Sequence, residues 1–263
     1  MADEIVLVNK RADGVAEVTL NRPEIHNALN EHVNQRLIEV FQDLKHDPKV
    51  RFVTLTGAGV SFCAGADLDW MRRTSGYSQD ENMADAIVLA NMLRGIYELP
   101  KPTIALVNGP AYGGGLGMAA VCDVAIAVRS ASFTLSEVKL GLVPATISPY
   151  VVQAIGPRQA RRYFLTAERF DAAKAKELGL VHEVVEDMAA MLAMRDRVLA
   201  ALRLGGPGAQ AASKDLVFAV QGRPIDEAVR RDTARRIAEA RATSEGKEGI
   251  AAFLNKRKAG WVP

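Results

Sequence analysis

The residues whose types and spacing best suit chemistry lie in Asn108 to Val128, NGPAYGGGLGMAAVCDVAIAV, where Gly109, Gly113, Gly114, Gly115 and Gly117 fall within nine residues. An apolar run, Thr103 to Val107, leads in, and a second, Val124 to Val128, follows. The pattern predicts a buried strand, a tight glycine turn, the start of a helix and another strand. Glycines let a second backbone or a ligand approach the main chain closely. A helix starting at such a turn leaves N–H groups without partners, and these suit a phosphate or a developing oxyanion. A second small-residue turn, AGAD at Ala64 to Asp67, sits in SFCAGADLDW. Each turn follows an expected buried strand, and in an α/β layer such turns gather at one edge of the sheet, where ligands bind. Two backbone N–H groups aimed at one point would form an oxyanion hole. Glycine turns are also ordinary loop geometry, and spacing alone does not choose between the two.

Other fingerprints are missing. GPAYGGGLG lacks the G-x-G-x-x-G order, and no acid closes a following strand at the distance a dinucleotide site needs. There is no Gly-Lys-Ser/Thr phosphate loop and no G-x-S-x-G elbow. His26, His32, His46 and His182 are scattered without ligand spacing, so no metal is assigned. Cys63 lies near the first turn, but no basic partner is evident, and it reads as packing. Asp67 is suited to capping the next helix.

The elements that must position these residues read as follows. Ile5 to Val8 and Val15 to Leu20 are strands joined at Asp13-Gly14. Pro23 stops the second, and Asn27 or Asn30 can cap a helix in which Val33, Leu37, Val40, Phe41 and Leu44 share a face. Val50 to Thr56 is a strand. Residues 72 to 82 read as a polar, mobile loop, and Met83 to Leu99 as a helix with Ile87, Ala90, Leu93 and Tyr97 on one face. After a short strand at Ser132 to Leu135 comes the irregular SEVKLGLVPATISPY, with Glu137 near its start. Gly156-Pro157 starts a helix, Asp171 caps another that stops at Gly179, and Leu180 to Val185 is a short strand. From Met188 on the pattern is helical. This order suggests an α/β core over residues 1 to 187 and a helical appendage over 188 to 263.

Composition agrees: 263 residues, 49% hydrophobic and 24% charged, suffice for a sizeable soluble core. A net charge of +2 argues against wholesale nucleic-acid binding. From Gln221 on there are ten Lys/Arg against six Asp/Glu, whereas the preceding 220 residues carry 23 against 25. A basic end can meet an anionic ligand, although most single charges there read as a solvated helix face. Two cysteines without a framework spacing fit a reducing compartment. With no signal peptide and no apolar stretch long enough to span a bilayer, the expectation is a cytoplasmic protein.

Four motifs in register, LNRPEIHNALN, FCAGADL, PKPTIALVNGPAYGGGLGMAAVCDVAIA and FTLSEVKLGLVPATISPY, closely resemble the enoyl-CoA hydratase/isomerase (crotonase) superfamily, and the ending AAFLNKRKAGW resembles its C-terminal helix. The resemblance implies an α/β fold, a spiral of β-β-α units closed by a C-terminal helical region used in trimer assembly, with trimers often paired into hexamers. It implies an acyl-CoA thioester as ligand, with coenzyme A part of the substrate rather than a cofactor, and no membrane. By matching motifs, Ala66 and Gly114 would supply the oxyanion-hole N–H groups, with Ala64, Asp67, Leu68 and Gly113 around them. Typical hydratases of the family carry two glutamates. One of these positions is Gly117 here, so that acid is missing; the other is Glu137, the one matched catalytic carboxylate. Asp123 matches a structural aspartate. His26 falls in the stretch near the CoA phosphates, and Phe253 with Lys256 match a C-terminal pair that contacts CoA, often from a neighbouring subunit. Within the superfamily the chain looks most like bacterial methylglutaconyl-CoA hydratases and their isoprenoid-degrading relatives, which act in leucine or acyclic terpene breakdown. Arg72 and Arg73 could then meet a second substrate carboxylate, or stand as solvated helix residues.

The expected activity is hydration of a 2-enoyl-CoA, a branched and carboxylated one in the subfamily reading. The alternative is a Δ3,Δ2-enoyl-CoA isomerase, because relatives of that activity also keep only the second glutamate. A non-catalytic acyl-CoA or nucleic-acid binding protein is the reading from another class, with only the missing acid and the basic tail in its favour.

Overall fold

A computed structural model describes residues 4–262. The elements run β1 (Val6–Lys10), β2 (Val15–Leu20), α1 (Glu31–His46), β3 (Phe52–Gly57), α2 (Leu68–Thr74), α3 (Gln79–Tyr97), β4 (Thr103–Val107), β5 (Ala111–Tyr112) and α4 (Gly114–Val121). They continue with β6 (Val124–Val128), β7 (Ser132–Thr134), α5 (Ser148–Thr166), β8 (Phe170–Asp171), α6 (Ala172–Leu178), β9 (Glu183–Val185) and α7 (Met188–Arg203). Three helices close the described chain: α8 (Pro207–Val220), α9 (Glu227–Ala242) and α10 (Ser244–Leu254).

Two compact units divide it: residues up to Leu99 with Thr103–Arg195, and Pro100–Pro102 with Asp196 onward. In the first, a six-stranded sheet has the order β1-β2-β3-β4-β6-β9, and a small sheet has the order β5-β7-β8. Only β1 runs antiparallel in the large sheet; β2 pairs parallel with β3, β3 with β4, β4 with β6 and β6 with β9. Consecutive strands alternate between the sheets: β4 lies in the large one and β5 in the small one, then β6 and β7 repeat the step. This is a spiral of β-β-α turns. The central strands are mostly apolar and buried, as parallel strands covered on both faces must be: every residue of β4 is buried, and so is every residue of β6 after Val124.

The helices follow local chemistry. Asn30 caps α1 by accepting from Val33 N–H, and Val33, Leu37, Val40, Phe41 and Leu44 are all buried. Asp171 caps α6, and Gly179 ends it in the left-handed region. Two expectations need correction. Residues 72 to 82 are not a long loop: α2 runs to Thr74 and α3 starts at Gln79, because Ser78 and Glu81 form a reciprocal capping box. On α3 the buried residues are Met92, Leu93 and Ile96, while Ile87 is exposed. Helix α5 opens at Ser148, with Pro149 tolerated in its first turn, and Gly156, at φ 75°, interrupts the path so that a second helical stretch starts at Pro157, as the Gly156-Pro157 pair predicts.

The second unit is helical. Asp226 caps α9 and Thr243 caps α10, and Glu245 accepts from Gly208 and Ala209 N–H at the start of α8. Val229 is buried, whereas Ile225, Ile237, Ile250, Phe253 and Leu254 are exposed. Among the described residues no helix is long and apolar enough to cross a membrane.

Candidate active site

Short parallel pairings draw the two turns together. Leu29 and Ala66 form a parallel bridge, as do Cys63 and Ala111, and β5 pairs parallel with β7. Segments around residues 29, 63–66, 111–112 and 133–134 thus lie side by side. The first turn is pinned through Leu29 N–H to Gly65 O (2.7 Å) and Asp67 N–H to Leu29 O (2.8 Å). That pairing turns Ala66 N–H away from Leu29, and among the described residues no acceptor faces it. The second turn is pinned through Tyr112 N–H to Cys63 O and Gly113 N–H to Thr134 O. Gly113 has φ 48° and ψ −116°, a conformation that a side chain would strain. It reverses the chain so that Gly114 opens α4, where an N–H has no partner within the helix. Leu29 ties the two N–H groups to one place: it pairs with Ala66, and a methyl on Gly114 would stand 2.8 Å from its Cδ1.

Glu137 comes to the same place from the far end of β7. A methyl on Gly113 would stand 3.1 Å from Glu137 Oε1 and 4.0 Å from Gly65 Cα. Glu137 Oε2 is buried with no hydrogen-bond partner, and burial pushes the carboxyl above the ordinary carboxylate range, opposed only by a bond from its own N–H. A desolvated carboxylate with so few partners holds its proton more readily than an exposed one and suits proton transfer to and from a ligand. The unpartnered N–H groups beside it suit an oxygen that gains negative charge.

Other side chains hold this frame. Asp67 accepts from Asp69 and Trp70 N–H as the cap of α2 and pairs with Arg22 Nη2 at 2.9 Å. Burial opposes its ionisation, but the bond from Arg22 and those from the two N–H groups hold the carboxyl below its ordinary range. The Asp67 side chain is therefore committed to structure, and so is its backbone, whose N–H donates to Leu29 O and whose carbonyl accepts from Met71 N–H. Asn27, buried with φ 57°, accepts from Arg22 N–H and donates to Ala58 and Ser61 carbonyls. Asn108 accepts from Gly57 N–H and donates to Gly59 O. These two amides organise the loop before the AGAD turn, a role the sequence pattern does not predict; for Asn108 the adjoining Gly109 was the signal available.

Of the other expected residues, Ala64 donates its N–H to His26 O, and Leu68 is exposed at the first position of α2. His26 is exposed, in the left-handed region, with Nδ1 3.0 Å from Ser61 Oγ. Phe253 and Lys256 belong to the second unit, at the end of α10 and just past it, both exposed. Cys63 is fully buried and its thiol is pushed up to about 12 by desolvation, which makes it packing rather than a nucleophile. Asp123 accepts from Thr103 N–H and Oγ1–H and is structural. Arg72 pairs with Asp69 and Arg73 with Glu31, so both cations have carboxylate partners on the surface. Among the described residues no group of side chains could hold a metal.

The sequence pattern of the family described as enoyl-CoA hydratase/isomerase matches residues 10–262. The chain belongs to the enoyl-CoA hydratase/isomerase family. A crystal structure of an enoyl-CoA hydratase from Shewanella pealeana superposes with a TM-score of 0.95 at 42% identity, covering 98% of this chain and 96% of that one. The Pseudomonas aeruginosa protein AtuE superposes with a TM-score of 0.94 at 39% identity, covering 99% and 100%. An enoyl-CoA hydratase of Alternaria alternata is 37% identical over 255 residues, 94% of this chain and 81% of its own. The β-β-α spiral is accordingly the crotonase fold of this family of enzymes.

Proposed function

We propose that this enzyme adds water across the double bond of a 2-enoyl-CoA thioester, with Glu137 as the single acid–base and the N–H groups of Ala66 and Gly114 as the oxyanion hole. The observation that carries the reading is the Glu137 carboxyl, buried without a partner beyond its own N–H, set against the glycine turn that opens α4. Water attacks the β-carbon and gives its proton to Glu137, while the alkene electrons move to the thioester oxygen as an enolate. The two N–H groups hold that oxygen. Glu137 then returns the proton to the α-carbon, and the enolate collapses to the thioester. One carboxyl serves both steps when both carbons lie on its side, so the elements of water add to the same face.

Around this chemistry Ala64, Gly113, Asp67 and Leu68 would border the thioester and His26 would meet the CoA portion, while Phe253 and Lys256 would meet the CoA held by a neighbouring subunit. Coenzyme A arrives as part of the substrate, and no further cofactor is required. The subfamily likeness in ADLDWMRR and the 142–173 stretch supports a branched, carboxylated substrate of the 3-methylglutaconyl-CoA type. Arg72 and Arg73 serve that carboxylate only by leaving Asp69 and Glu31. The helical end supports assembly as a trimer or hexamer, and the buried thiols of Cys63 and Cys122 support a reducing, cytoplasmic site of action.

A second reading, Δ3,Δ2-enoyl-CoA isomerisation, is favoured by one observation: a side chain on Gly117 would run into Ile147, so no second acid shares the α4 face with Glu137. One base that moves a proton between two carbons suffices for that reaction. Turnover of crotonyl-CoA, 3-methylglutaconyl-CoA and a 3-enoyl-CoA, measured side by side, separates the readings. Hydration of either 2-enoyl thioester as the fastest reaction supports the proposal; turnover of the 3-enoyl thioester alone replaces it with the isomerase; turnover of none overturns both.

A further inference from the structure

Glu137 is held in place by little of its own. Apart from its own N–H, its carboxyl has no hydrogen-bond partner among the described residues. The backbone bonds of its segment are local: Lys139 N–H to Ser136 O, Gly141 N–H to Val138 O, Leu142 N–H to Glu137 O, Ala145 N–H to Val143 O and Ser148 N–H to Ala145 O. Between the buried Leu135 and the buried Ile147, Pro144 alone is buried, while Val138, Leu140, Leu142 and Val143 are exposed. What fixes the carboxyl must therefore be packing, at Pro144 and at the two ends of the segment.

The far end packs on the helix that Glu137 faces. Gly117 N–H donates to Gly113 O at 3.0 Å, so the two glycines stand one turn apart on one side of α4. Over Gly113 lies Glu137 Oε1. Over Gly117 lies Ile147: a side-chain carbon there would overlap its Cγ2 and stand 2.9 Å from its Cβ, with Leu93 Cδ2 of α3 at 3.7 Å behind. Ile147 is 2% exposed and holds the position before α5. The bare face of α4 thus receives two side chains from one segment, an acid at its head and an isoleucine at its tail.

We propose that Ile147 is a positioning residue for Glu137, docking into the side-chain-free surface at Gly117 and so registering the acid over the first turn of α4. The proposal rests on the catalytic role given to Glu137 above. Filling the surface or emptying it should have the same effect. Gly117→Ala forces Ile147 outward, and Ile147→Ala removes the γ-carbons that dock; Ile147→Val keeps both γ-carbons and serves as the conservative replacement.

The test measures kcat, KM and the acid limb of the pH profile on the best thioester for these variants and for Glu137→Gln with and without Ile147→Ala. We expect Gly117→Ala and Ile147→Ala each to lower kcat about tenfold or more, with KM within about twofold and the acid limb displaced, and Ile147→Val to stay near wild type. In the Glu137→Gln background Ile147→Ala should cost nothing further, because a residue acting through Glu137 has nothing left to position. Folded Gly117→Ala and Ile147→Ala variants with wild-type kcat and an unmoved limb overturn the proposal while Glu137→Gln stays inactive. An additive loss in the Glu137→Gln background overturns it too, as Ile147 then acts on something else. An active Glu137→Gln removes the catalytic role itself and the proposal with it. If Gly117→Ala fails to fold, the Ile147 variants and their combination with Glu137→Gln decide alone.

Discussion

Replacing Gly114 by proline separates a main-chain donor from the space around it. Gly114 is the first residue of α4, the helical position where proline is best tolerated, because the lost N–H has no intrahelical partner and the fixed φ suits the helix. The ring Cδ takes the place of the hydrogen, so the substitution removes the donor and blocks its direction at once. A proline also adds a Cβ, which would stand 2.8 Å from Leu29 Cδ1. Because Leu29 pairs with Ala66, that pressure could disturb the other donor. Gly114→Ala carries the same Cβ with its N–H intact and serves as the control. The atom met is a terminal methyl that can rotate away, so the alanine variant should lose on the order of tenfold or less, the kinetic equal of about 1.4 kcal/mol. Loss of one oxyanion donor costs about 10²–10³ in kcat, or about 2.7–4 kcal/mol. The expected order is wild type, then Gly114→Ala, then Gly114→Pro at least about tenfold below the alanine variant. Steady-state hydration of the best thioester, on protein whose folding is checked by circular dichroism, reads the difference. A folded proline variant that turns over as fast as the alanine one would falsify the assignment of Gly114 N–H to the oxyanion.

Three other outcomes are open to measurement. Glu137→Gln should lower turnover at least about a hundredfold with acyl-CoA affinity retained; in the wild type, kcat/KM should rise with pH through a limb set above the usual carboxylate value, because burial raises Glu137. The same raised value means that ionising Glu137 costs the fold stability as pH rises through it, so the glutamine variant should gain thermal stability relative to wild type above that limb. Asp67→Ala should cost about 1 kcal/mol or more in chemical denaturation through the lost cap of α2, with Arg22 left unpaired as well; since the Asp67 carboxyl is lowered in the fold, the deficit should shrink as pH falls through its folded value. Light scattering should give a trimer or hexamer mass, since Ile225, Ile237, Phe253 and Leu254 stand exposed in the helical unit; a monomer mass at working concentration would contradict this.

How much of this was legible in the sequence depends on how local each cause is. Strand β2 was read at its true ends, Val15 and Leu20, because β-branched residues and flanking turns are local signals. The caps at Asn30, Asp67 and Asp171 were legible for the same reason. The start of α3 was missed although its capping box, Ser78 to Glu81, is written in the chain; the polar residues and Gly76 around it masked the signal. The two-residue strands β5 and β8 have no periodicity to read, and only their partners across the fold create them. The site divides the same way. Both turns and Glu137 carry motif signatures. Asn27, Asn108 and Ile147 lie inside the matched motifs, but their roles are not legible there, since each acts on residues far away in sequence or, for Ile147, from an irregular segment without a period.

The geometry also explains why so much of this site falls to the main chain. On the first turns of α4 the side facing Glu137 is Gly113 and Gly117, so the helix brings no functional group of its own to that face except N–H. Everything else must be delivered. The AGAD turn brings a second N–H through its pairing with Leu29, and the stretch after β7 brings the acid. An added acid on α4 at position 117 would have to displace Ile147, which together with Leu93 of α3 covers Gly117. The missing carboxylate is therefore a repacked wall rather than a hole, and a glutamate restored at Gly117 with Ile147 unchanged should disrupt the segment that carries Glu137 before it could add a second proton relay.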